Sequence, residues 1–294
     1  MPDAAPSPGP RNRKSDIHLQ PLRKRVTMPQ FPYRDLKPTP EAESKYKQWI
    51  AHLHEEFTKH TGYEQRSEIV RDALYQLYLG RPHGGRLSAP LTTELPIHVL
   101  AETFDPRNAT LEPEYYGDID EKLYYERKPL IWFWQMFDRS PVGLNHWLGF
   151  KFRCMLGHHI FKHIGKNVKI FQNVEFSFGY NLVIEDNCII HKNVLLDDRG
   201  GLTLREGTSV SDYVNIFSHQ HDIYVQADVT NIPTSIGPRA RITYHSTVLA
   251  GSNVGENAML GAMGLATHPI HDQMINVGVP AKPVRSKDGN WQKD

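Results

Sequence analysis

The chain has 294 residues, room for one large domain or two ordinary ones, and its 39% hydrophobic share allows a sizeable core. Its 34 basic residues nearly balance 33 acidic ones, so no global basic excess points to nucleic acid. The two cysteines, Cys154 and Cys188, lie far apart with neither metal-ligand spacing nor a disulfide framework, a usage that suits a reducing cytoplasm.

The opening residues, MPDAAPSPGPRNRKSD, lack the apolar stretch of a signal peptide. No run approaches the ~20 apolar residues of a membrane span, and a cytoplasmic location is expected. Residues 1–38 are rich in proline and basic side chains, and are expected to form a disordered arm. A helical or irregular region is expected over 39–163. Thr39-Pro40-Glu41 is a helix-start signal: an N-cap, a first-turn proline and an acid near the positive helix end. Tyr46, Ile50, Leu53 and Phe57 then recur at helical spacing. A second helix is predicted from about Arg66 to Leu79, ending at Gly80-Arg81-Pro82. Residues 82–128 read as irregular. The apolar run Pro129 to Phe137 is too short to span a membrane and is expected to pack against the rest of the fold. A third helix is predicted from about Val142 to His159.

From Ile164 the period changes to six. A large aliphatic or aromatic residue opens each hexad: Ile164, Ile170, Phe176; Ile184, Ile190, Leu196; Leu204, Val210, Ile216; Ile236, Ile242, Val248, Val254, Leu260. Four positions later the residue is often small or β-branched, as at Val174, Cys188, Thr208 and Ser246. Period six fits neither an amphipathic helix nor an alternating strand. It fits a triangular coil in which three hexads make one turn and the openers point inward. The expected fold is therefore mainly β: a left-handed parallel β-helix of about five coils over 164–285, a short tail at 286–294 and a helical N-terminal region. Phe176 to Ile184 and Leu196 to Leu204 are steps of eight, and Ile216 to Ile236 is a step of twenty. A loop of that length on a regular scaffold is usually functional.

These residues carry a resemblance. The stretch from Ile164 to Arg285 resembles the hexapeptide-repeat acyltransferases, in particular the galactoside and maltose O-acetyltransferase branch and related polysaccharide acetyltransferases. Four features support it: the hexads, Leu196-Asp197-Asp198 one coil before the long loop, His221 five residues after the opener Ile216, and the closing Gly278 to Arg285, GVPAKPVR. Arg241 stands where galactoside-type enzymes carry a tryptophan, and His268 where a lysine is common.

The resemblance implies direct transfer from acetyl-CoA, or another acyl-CoA, to an acceptor hydroxyl, with histidine as general base and no metal. A near-neutral histidine suits the removal of the acceptor proton. His221 takes the base position, with His219 as alternate. Asp198, with Asp197 as alternate, matches the acid that binds the acceptor. Ala262, Thr267 and His268 match CoA-lining positions, and Lys282 and Arg285 match basic residues near the CoA phosphates. The family also implies a homotrimer. The N-terminal elements would cap the solenoid or shape the acceptor site. Three other readings remain: transfer to the amine of an amino sugar, a γ-type carbonic anhydrase-like metal protein, and a non-catalytic scaffold. The metal reading needs two histidines five residues apart on one coil, whereas His219 and His221 are two apart.

Overall fold

The computed structural model describes residues 37–83 and 95–289. Apart from Lys37 and Pro38, the arm expected at 1–38 lies outside the described residues. Helix α1, Pro40–Lys59, starts at the expected cap, where Thr39 Oγ1 accepts the Ala42 N–H. Helix α2, Tyr63–Leu79, ends on Gly80 at φ 67°, a left-handed conformation that glycine adopts without penalty.

Between them and the coils lie α3, Leu95–Thr103, then α4, Glu121–Arg139, and α5, His146–Ile160. Helix thus occupies two parts of the stretch 82–128 expected to be irregular. The apolar run Pro129 to Phe137 is the second half of α4. Proline inside a helix costs ~3 kcal/mol or more. Burial of Leu130, Ile131, Phe133, Trp134 and Phe137 offsets that cost, a compensation visible only once the helix has neighbours. Phe152 stacks on both Trp49 and Phe137, and Phe133 meets Trp49 and Phe152 edge-on.

The coils rise directly from α5. One face stacks the strands ending at Ile164, Ile184, Leu204 and Ile236, then single bridges at Val254 and Ile270. The second stacks Ile170, Ile190, Val210, Ile242, Leu260 and Asn276. The third stacks Phe176, Leu196, Ile216, Val248 and Ala266. Every neighbouring pair is parallel, giving a β-helix of five complete turns and two sides of a sixth. That is slightly longer than expected, because Ile270 follows Ala266 by four residues and falls outside the six-residue count.

The repeat has a local cause. The third residue after an opener turns the corner in the left-handed region: Asn167, Asn173, Asn187, Asn193 and Asn257 have φ between 50° and 61°. Asparagine tolerates that conformation better than most residues. Their amides then ladder between turns, as from Asn167 to Asn187 at 2.9 Å and Asn173 to Asn193 at 3.1 Å. The next position points inward, where Val174, Cys188, Val194, Thr208 and Ser246 are buried. Glycine directly after an opener answers crowding between turns: a Cβ on Gly237 would lie 2.6 Å from the backbone of Gly255.

Helices and coil meet across a polar seam inside the apolar core. Arg153 is fully buried, donating to Asp138 Oδ1 at 2.8 and 2.5 Å and to the carbonyls of Ile170 and Gly143. Asp138 Oδ2 accepts the Asn173 N–H at 2.7 Å. Nearby, Trp134 Nε1–H donates to the Val174 carbonyl at 2.9 Å.

Candidate functional site

All three insertions in the repeat fall at one corner, between the third face and the first, after Phe176, Leu196 and Ile216. The parallel register stacks these positions. Residues far apart in the chain, Ser177, Asp197 and Phe217, therefore stand one turn above another. A cavity of about 470 Å³ opens there, walled on the coil side by these three residues with His219 and His221.

The long loop begins as a hairpin, His219–His221 paired antiparallel with Val229–Asn231. Alternation along a strand puts residues two apart on one side, so His219 and His221 face the same way, their rings perpendicular with centroids 5.3 Å apart. His221 Nδ1 lies 2.7 Å from the Gln226 carbonyl oxygen. A carbonyl can only accept, so Nδ1 carries the hydrogen and the neutral ring keeps its lone pair on Nε2. His219 Nδ1 meets Asp197 Oδ2 at 2.6 Å. Asp197 is itself held by the Ser177 hydroxyl at 2.9 Å and the Ser218 N–H at 2.8 Å. A carboxylate at Nδ1 fixes the orientation of the ring. Either imidazole could act as a base.

The acids separate. Asp198, the first choice for the acceptor contact, is fully buried, and its oxygens accept the N–H groups of Phe178 at 2.7 Å and Asn181 at 3.1 Å. Burial pushes its carboxyl up to about 6. It staples a turn and does not line the cavity, whereas the alternate, Asp197, does. Adjacent residues of an extended corner point opposite ways, and sequence could not say which one points in.

The expected CoA-side residues also divide. Thr267 follows Ala266 on the third face, two turns beyond Phe217 at about 10 Å along the stack, and its hydroxyl meets His268 Nδ1 at 2.9 Å. His268 and Lys282 line a second cavity of about 640 Å³ beside Asn276, whose buried Oδ1 has no hydrogen-bond partner among the described residues. Arg285 lies on the same closing strand, Lys282–Ser286, which pairs antiparallel with Met274–Val277. Ala262 is exposed after Gly261, and neither it nor Arg285 lines these two cavities.

Sequence reading missed the far wall of the first cavity. Thr110, Glu112, Tyr116, Trp132 and Gln135 come from the N-terminal region, and Arg199 from the corner itself. Arg199 could have been flagged, because it lies in the eight-residue step. The others carry no periodic signal. Among the described residues no group of three His, Cys, Asp or Glu side chains is placed to hold a metal ion. Among the described residues no helix is long and apolar enough to cross a membrane.

The stacked hexads and their loop-bearing corner define a hexapeptide-repeat β-helix protein. No family model matches the chain. It is similar to the galactoside O-acetyltransferase of Escherichia coli K12, 25% identical over 130 residues, covering 43% of this chain and 64% of that protein. It is also similar to an Escherichia coli dTDP-4-amino-4,6-dideoxy-D-glucose acyltransferase, 28% identical over a 159-residue alignment that covers 43% of this chain and 83% of that one. Among solved structures, a maltose O-acetyltransferase from Clostridium difficile 630 superimposes with a TM-score of 0.51 at 21% identity, covering 60% of this chain and 98% of that one. A galactoside acetyltransferase in complex with coenzyme A gives 0.50 at 22% identity, covering 56% and 80%. The solved structures share the fold. In its hexads and its fold the chain is similar to hexapeptide-repeat acyltransferases.

Proposed function

We propose that the protein transfers an acyl group, acetyl in the simplest case, from acyl-CoA to a hydroxyl of a sugar, polysaccharide or other small acceptor. His221 is the general base. The acceptor oxygen attacks the thioester carbonyl carbon while its proton passes to His221 Nε2. The C–S bond then breaks, and the CoA sulfur leaves as the thiol by taking that proton. One observation carries the assignment: the Gln226 carbonyl accepts from His221 Nδ1, which leaves Nε2 as the proton acceptor beside the cavity. Asp197, rather than Asp198, is the acid positioned to bind the acceptor, either directly or through His219.

A second reading rests on the 2.6 Å contact between His219 and Asp197. In it the dyad is the base, and His221 binds the acceptor. Transfer to an amine is the other variant, because one relative is named for an amino sugar. We assign the catalytic unit to 164–285 and its helical supplement to 39–163. The acyl-CoA would run along the corner from Thr267 toward His268, with Lys282 and Arg285 toward its phosphates. The assembly is a homotrimer, and the location cytoplasmic. The testing experiment is thiol release from acetyl-CoA across a panel of sugars and amino sugars. The reading predicts acceptor-dependent release. Release no faster than hydrolysis, or release that a chelator abolishes, defeats it.

A further inference from the structure

Resting on the acyl-transfer reading of the corner, we propose that Arg199 is a positioning residue for the acceptor. It ties the segment 110–118 to the corner as the far wall of the cavity, so that acceptor choice is set partly from outside the repeat.

Arg199 stands two residues beyond Asp197 in the same insertion, and its N–H reaches Asp197 Oδ1 at 3.4 Å. Its guanidinium crosses the cavity edge. Nε and Nη2 donate to Asp118 Oδ2 at 3.0 and 2.9 Å, and the cation lies 4.5 Å from the centre of the Tyr116 ring. The side chain is only 5% exposed. One residue thus touches the acid that holds His219 and the segment facing it.

The segment has its own framework. Glu114 accepts the Leu111 N–H at 2.6 Å and pairs with the buried Lys128 of α4 at 2.8 Å, while Glu112 accepts from the Tyr116 hydroxyl at 2.7 Å. Loss of Arg199 would therefore release the wall from the corner without detaching it from α4. A largely buried ion pair is a poor route to stability, because desolvation opposes it. It is a good route to a fixed distance, and a preorganised wall spares the ordering cost when the acceptor binds.

The test uses the full chain, acetyl-CoA, and free monosaccharides and glucosamine as acceptors, with thiol release as readout. Arg199→Ala should raise the KM of the best acceptor by about 10- to 100-fold, the scale of a charge-assisted contact. The KM for acetyl-CoA and the melting temperature should stay close to wild type. Hydrogen exchange at 110–118 should quicken. The swapped double variant Arg199→Asp with Asp118→Arg should restore slow exchange and recover much of the acceptor KM, which a purely structural role for Arg199 would not require. An active Arg199→Ala enzyme with unchanged acceptor KM, or unchanged exchange at 110–118, overturns the inference alone. No acceptor-dependent release by the wild type overturns the acyl-transfer reading, and this inference with it.

Discussion

The coils and the helices of this chain build their cores by different rules. In the coils each opener meets the opener one turn away, as Ile184 meets Ile164 and Leu204. Contacts repeat, and a local pattern is enough to specify them. In the helical region the core is a single aromatic assembly in which Trp49 of α1, Phe133 and Phe137 of α4 and Phe152 of α5 touch one another. No contact there repeats, and each depends on elements brought together from a distance. The cavity lies where the two rules meet: the repeat supplies the two imidazoles and Asp197, and the non-repeating region supplies the opposite wall.

The sharpest test of that division is chemical. His221→Ala should lower kcat by ~10²–10⁴-fold with little change in melting temperature, because its side chain is exposed on the loop. His219→Ala should cost less and act on acceptor KM. If His219→Ala is the more damaging of two folded variants, the base is the Asp197-held ring.

The seam tests whether the two cores unfold together. Arg153→Ala strands the buried Asp138 carboxylate and should cost roughly 3–5 kcal/mol, read from urea midpoints. A single transition shifted as a whole would mean that the coil needs its helices. A second transition, with the coil unaffected, would separate the regions. Trp134→Phe removes the bond to the Val174 carbonyl at the first turn and should cost roughly 1–3 kcal/mol. A value near zero would mean that aromatic packing alone holds this contact.

The smallest effect concerns pH at the corner. Burial raises the Asp198 carboxyl from 3.8 to about 6 in the folded chain, so the folded state holds this proton more tightly than the unfolded one. Its contribution is greatest below pH 4 and is lost as pH rises through about 6. The destabilisation caused by Asp198→Asn should therefore shrink between pH 4 and 6. A constant difference across that window would show that its N–H partners cancel the effect of burial, and a growing one that they outweigh it.

Much of this protein was legible along the chain because the deciding interactions are short-range or periodic. The Thr39 cap, the stop at Gly80 and the hexads each need only a few neighbouring residues. The long loop was legible as a break in the count, and with it His219 and His221. What escaped was direction and company. Sequence ranked Asp198 before Asp197, but which carboxylate faces the cavity depends on whether Phe178 and Asn181 present their N–H groups to it. The run from Pro129 to Phe137 was expected to pack against the fold, but that it does so as the second half of a helix depends on the burial of its aromatic side chains.

By itself the sequence determined the β-helix, its start after α5 and the corner where insertions gather, because a six-residue period admits one stacking and stacking aligns every break in it. Only the tertiary structure decided which acid meets His219, that Gln226 orients His221, and that Tyr116 and Arg199 close the cavity. Those contacts join segments 22, 5 and 83 residues apart, and the two that span the longest separations depend on packing between whole elements, which no local pattern encodes.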